Sequence, residues 1–146
     1  MARAAIDGFE DLEHMFQKLK DPEKMAIKAV DKAAPILEKA LKSEIRSASS
    51  KGYSTGALEQ SIIADKAKEN QYGVFSVVRP VGTDSKGVSN VDKLLWLDAG
   101  IWAKKEKGKR KHRQKALYVR DKAIKSAKAK CESIIEKTAE EWMDDV

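Results

Sequence analysis

"SIIADKAKENQYGVFSVVRPVG", Ser61 to Gly82, is where the chain changes its period. Upstream, apolar residues recur at spacings of three and four. Here they gather in short β-rich runs around a polar break, which predicts two strands, about Ser61 to Lys68 and Gly73 to Val81, with "ENQYG" as the turn. Val74, Phe75, Val77 and Val78 make the second strand the richer in β-branched and aromatic side chains, so it is expected to be the better buried. Pro80 closes it or marks an edge.

Before this stretch the chain reads as helix. Phe9, Leu12, Phe16 and Leu19 share one face of a helix from Phe9 to about Lys20, with Asp7 as N-cap. "KDPEKM" restarts the chain: Asp21 caps, Pro22 suits the first helical position and Glu23 the positive end of the dipole. A longer helix then runs to about Ser47, its stripe made by Ile27, Val30, Ala34, Leu37, Leu41, Ile45 and Ala48. Pro35 is expected to kink or split it. "SASSKGYSTG" ends it.

After the strands, "GTDSKGVSN" reads as a flexible polar loop, and "VDKLLWLDAGIW" as a short helix capped by Asn90 or Asp92 and ended by Gly100. Ile101 and Trp102 begin a third strand, and "ALYV" is either a fourth or the lead into the last helix. That helix spans about Arg120 to Asp144, with Ile124, Ala127, Cys131, Ile134, Ile135, Thr138 and Trp142 on one side. The expected fold is α+β: N-terminal helices, a small antiparallel sheet of three or four strands and a long C-terminal helix, in one domain over residues 1–146.

Composition narrows the function classes. Charged residues make up 36%, above the usual quarter or so, which implies solvated helix faces. No apolar run reaches the roughly eighteen residues of a membrane span, so no membrane contact is expected. The first residues lack the layout of a signal peptide, and one cysteine, Cys131, excludes an intramolecular disulfide; both fit synthesis in a cytoplasm. His14 and His112 have no partner at metal-ligand spacing, so no zinc site is expected, and Cys131 on the apolar stripe reads as a structural thiol. "GTDSKG" lacks the full phosphate-loop pattern. No catalytic constellation and no cofactor site emerges, and the chain is not expected to be an enzyme.

Three stretches carry a resemblance. "STGALEQSI" supplies Thr55, Gly56, Leu58, Ser61 and Ile62 of a Thr-Gly-x-Leu-x-x-Ser-Ile signature; "LLWLDAGIW" places Asp98 and Gly100 where a Glu-Phe-Gly segment has its glutamate and glycine; "KALYVRDKAIKSA" leads into the last helix with Leu117, Tyr118 and Ala123. In this order they resemble the tail-completion or neck proteins of long-tailed bacteriophages, over nearly the whole chain. The resemblance implies a structural virion protein made in the host cytoplasm. It would be a ring-forming subunit, hexameric in the virion, that joins the DNA-filled head to the tail, touching the head-side connector and the tail tube or terminator. A tail terminator that caps the tube is a close variant. Among these residues Gly56 and Gly100 read as backbone devices and Leu58, Ile62, Leu95 and Leu97 as core. Asp98 is poorly placed for its own helix dipole, which fits either a cationic or backbone partner or an exposed, indifferent carboxylate.

One stretch stands apart. "KKEKGKRKHRQK" holds Lys104, Lys105, Lys107, Lys109, Arg110, Lys111, Arg113 and Lys115 against one acid, a net 8 − 1 = +7 in a chain of net +6. The remainder is nearly neutral. A basic loop over about residues 104–115 is therefore a solvated loop, a sequence-blind contact with DNA in the channel, or an arm onto a neighbouring subunit. The acidic end Glu140, Glu141, Asp144 and Asp145, at a helix C-terminus where negative charge is disfavoured, favours the arm. A small basic DNA-binding protein is the reading from another class.

Overall fold

The longest apolar stripe in the sequence forms the spine of the molecule. The computed structural model describes residues 21–49, 55–102 and 112–144. Helix α1, Pro22–Ser49, is 28 residues long, about 42 Å at the usual rise. It runs unbroken through Pro35: the proline removes one donor to the carbonyl of Asp31 but does not divide the helix. The helix expected at Phe9 to Lys20 lies outside the described residues.

A six-residue helix not foreseen in the sequence, α2 (Gly56–Ser61), turns the chain into the strands. β1 (Ile62–Ala64) and β2 (Lys68–Asn70) return as β3 (Gly73–Phe75) and β4 (Val78–Pro80). β1 pairs with β4 and β2 with β3, both antiparallel. Residues 65–67 face only residues 76–77, so one extra residue bulges from the first arm and shifts the register between the two halves. The amide of Asp65 still donates to Val77 and the hydroxyl of Ser76 to the carbonyl of Asp65, which closes the bulge.

The second arm shows a period of two: Val74, Ser76 and Val78 are half-buried and Pro80 buried, whereas Phe75, Val77 and Arg79 are exposed. The expectation that this strand is the better buried of the two is corrected: the first arm has Ser61 and Ile62 buried, the second only Pro80. The hairpin packs on α1, with α2 and α3 reaching β4, while Phe75, Val77 and Arg79 stay exposed.

Helix α3, Asn90–Ala99, begins after Ser89, which takes the N-cap position expected of Asn90 or Asp92. Gly100 ends it with φ +80° and donates its amide to the carbonyl of Trp96, 2.9 Å, as the sequence implies. β5 (Ile101–Trp102) pairs antiparallel with β6 (His112–Gln114), and α4 runs from Val119 to Asp144. The fourth segment "ALYV" is thus the lead into α4. The basic stretch is not loop throughout either, since its last residues form β6.

The fold is α+β, its antiparallel strands distributed over three two-stranded ribbons. Leu41, Ile45, Ala48, Leu58, Ile62, Leu94, Leu97, Val119 and Ala123 form the core, where the lower half of α1 meets α2, α3 and the start of α4. Leu95 is exposed and its neighbour Leu94 takes the expected core place. Beyond this core α1 and α4 continue together along a seam of small residues, Ala29 and Ala33 against Ala127 and Thr138. The hairpin and α4 both pack on α1, and at the core Ile62 of β1 joins Val119 and Ala123 at the start of α4.

Candidate functional site: a three-motif junction

Each of the three motif stretches contributes to one junction. In the first, the buried Thr55 accepts the amide of Glu59 on its carbonyl, 2.8 Å, and opens α2. Leu58 and Ile62 enter the core, and the Ser61 hydroxyl donates to the carbonyl of Leu58, 2.6 Å. Arg46 of α1 clamps α2 through Glu59, its Nε donating at 2.9 Å, and this partner holds the Glu59 carboxyl below its ordinary range. Gly56 departs from expectation: it has no positive φ, and a Cβ there would meet open space, so no backbone constraint demands glycine.

The second and third stretches meet at Asp98, which is only 9% exposed. One carboxylate oxygen accepts the backbone amide of Arg120 at 3.0 Å and the other accepts Nε of Arg120 at 2.7 Å. The amides of Leu117 and Tyr118 donate to the carbonyls of Leu97 and Asp98, at 3.0 and 3.1 Å. Tyr118 holds the N-cap place of α4 at φ +50° and its side chain cannot accept from the helix amides, so Asp98, distant in sequence, serves as the cap. The carboxylate poorly placed at the end of α3 is well placed at the start of α4. Of the two readings left open for Asp98, the partnered one holds.

The loop at residues 82–89 is braced rather than free. Oδ1 of Asp84 accepts the amides of Lys86 and Val88, and Lys93 reaches its other oxygen; these bonds hold the carboxyl below its ordinary range, the lysine contributing most. Asn90 donates to the carbonyl of Val81 and leaves its own buried Oδ1 without a partner among the described residues.

The charged groups fall at the two ends of α4. Lys104, Lys105, Lys107, Lys109, Arg110 and Lys111 lie outside the described residues; Arg113 falls in β6, and Lys115 is exposed just after it. Glu140, Glu141 and Asp144 are exposed at the far end, and Asp145 lies outside the described residues. Glu141 already pairs with Lys32 at 3.5 Å, and Lys28 lies over the Trp142 ring at 5.8 Å. Cys131 packs against α1 with its thiol 3.6 Å from the carbonyl of Ala33, and burial pushes its pKa up, away from a nucleophile. On α4, Ala127 and Thr138 of the expected apolar side are buried and Cys131, Ile134 and Trp142 half-buried, whereas Ile124 and Ile135 are exposed.

Among the described residues no group of His, Cys, Asp and Glu is arranged to hold a metal ion, and no helix is long and apolar enough to cross a membrane. No family model matches the chain, and no curated protein or solved structure similar to it was found.

Proposed function

We propose that this chain is a structural subunit of the neck of a long-tailed bacteriophage, a ring-forming tail-completion protein that joins the filled head to the tail. The observation that carries the reading is the junction: three stretches chosen on sequence resemblance alone meet through Leu58, Ile62, Leu97, Asp98 and Arg120. A subunit of this kind acts by geometry, offering one face to the connector and another to the tail.

The basic segment and the acidic end of α4 fit contacts between subunits rather than within one. The segment leaves from β5 and β6, beside the start of α4, and the acids lie at the other end of a 26-residue helix, about 39 Å away. In this reading the arm of one subunit meets the acidic end of another.

Electron microscopy of lysates from a prophage lacking the gene tests the reading. Filled heads beside free tails of normal length support it, and tails of abnormal length point to the terminator variant. Intact infectious particles overturn it. The eight basic residues in twelve favour one further reading, a DNA-binding protein. Steeply salt-dependent duplex binding by the monomer supports that alternative, and absence of binding at physiological salt removes it.

A further inference from the structure

The outward face of α4 carries its charges in reverse. Lys122, Lys125 and Lys128 lie on it in the N-terminal half, after Asp121 in the first turn. Glu132, Glu136, Glu140 and Asp144 follow at intervals of four in the C-terminal half, where the helix dipole disfavours anions and where like charges one turn apart repel. Lys128 lies 4.0 Å from Glu132, but Glu136, Glu140 and Asp144 have no cation at ion-pair distance among the described residues. The same face exposes Ile124 (52%) and Ile135 (40%). Among the described elements α4 packs mainly on α1, and its start also meets the core at α3, Leu58 and Ile62, whereas Ile124, Lys125, Lys128, Glu132, Ile135 and Glu136 are exposed.

We infer that this face binds a second copy of the chain, α4 against α4 in antiparallel sense. Apart from Lys128 and Glu132, one turn apart, the cations and anions lie too far along one continuous helix to pair within the chain. A two-fold rotation about an axis level with residue 130 satisfies both halves at once. Lys128 then faces the partner's Glu132, Lys125 the partner's Glu136, and Ile124 the partner's Ile135, each with its symmetric counterpart. Lys128 and Glu132 flank the axis, and the exposed isoleucines add an apolar edge five or six residues to either side of it. One helix per subunit makes a contact at the low end of stable interfaces, so the pair is weak and salt-sensitive. The inference is independent of the neck reading, because it concerns the free chain in solution.

Sedimentation equilibrium of the full chain tests it, at about 0.05 M and about 0.5 M salt. The wild type is expected to approach twice its 16.3 kDa mass at high protein concentration in low salt, and to associate at least tenfold more weakly in high salt. The doubly reversed variants Lys125→Glu/Lys128→Glu and Glu132→Lys/Glu136→Lys should each remain monomeric, and their equimolar mixture should form a mixed dimer. Circular dichroism confirms that each is folded. Should a reversed variant lose helix, Ile124→Ser/Ile135→Ser replaces two exposed residues and must also weaken the dimer. A monomeric wild type, reversed variants that associate normally, or a mixture of folded variants that stays monomeric overturns the inference.

Discussion

Replacing Asp98 tests how the junction is held. The carboxylate does two things: it caps the Arg120 amide at the start of α4 and pairs with the Arg120 side chain. The guanidinium side is half-exposed, and a pair open to water contributes little, under about 1 kcal/mol. The cap sits where the carboxylate is nearly buried, and losing a cap costs about 0.5–2 kcal/mol, with more if the orphaned amide stays dry. Asp98→Ala is therefore expected to cost about 2–3 kcal/mol, whereas Arg120→Ala, which keeps its backbone amide, costs under about 1 kcal/mol. Asp98→Asn retains an acceptor and should fall between them, near 1 kcal/mol. Urea denaturation with unchanged m-values measures all three, and Asp98→Ala should lower Tm by roughly 5–10 °C. Equal losses for Asp98→Ala and Arg120→Ala would show that the ion pair, not the cap, holds the junction, and the reasoning would fail.

Further outcomes follow from individual groups. Gly56→Ala should leave stability unchanged or raise it slightly, whereas Gly100→Ala, at φ +80°, should lose about 1–2 kcal/mol in the same denaturation assay. The Glu69 carboxyl is raised by burial and then by the neighbouring Glu23, so its contribution is full below the unfolded pKa of about 4.3 and lost as pH rises through the folded value. Glu69→Gln should therefore stabilise the protein at neutral pH and leave it unchanged at acid pH, read by thermal melts. Glu59, Asp65 and Asp84 are lowered by Arg46, Arg79 and Lys93, so their contributions hold above about pH 4 and fade as pH falls through their folded values. Cys131 should react with a thiol reagent at least tenfold more slowly than a free cysteine until denaturant is added.

The elements that rest on a periodic stripe were legible in the sequence: α1 through Leu41 and Ile45, the hairpin through its change of period, and α3 through Gly100. What escaped depends on phase and on distant partners. Leu94 and Leu95 are adjacent, and only the packing of α3 decides which faces inward. The stripe on α4 was legible through Ala127 and Thr138, which are buried, but Ile124 and Ile135 at its margin are exposed, because the seam with α1 is narrower than the apolar stripe. Asp98 announced a misplaced charge, but nothing local names Arg120, 22 residues away, as the group that makes the placement favourable. The bulge at residues 65–67 adds one residue to one arm and leaves no mark on composition.

Reversing the acidic end separates two ways in which copies of this chain can meet. In a head-to-tail ring, the basic segment of each subunit reaches the acidic end of the next, around the circle. In the antiparallel pair, the start of one α4 lies beside the end of the other, so the same contact is reciprocal within a dimer. Glu141 is a poor probe of either, because Glu141→Lys would also repel Lys32 within the chain. Glu140→Lys/Asp144→Lys is the cleaner change: both residues are exposed and have no ion pair among the described residues. Loss of particle assembly with the solution dimer intact would assign these acids to the ring. Loss of both would assign them to the pair and make the pair a step in building the ring. If particles and dimers both form normally, the acidic end holds no partner, and the reverse charging of α4 must be explained through Glu132 and Glu136 alone.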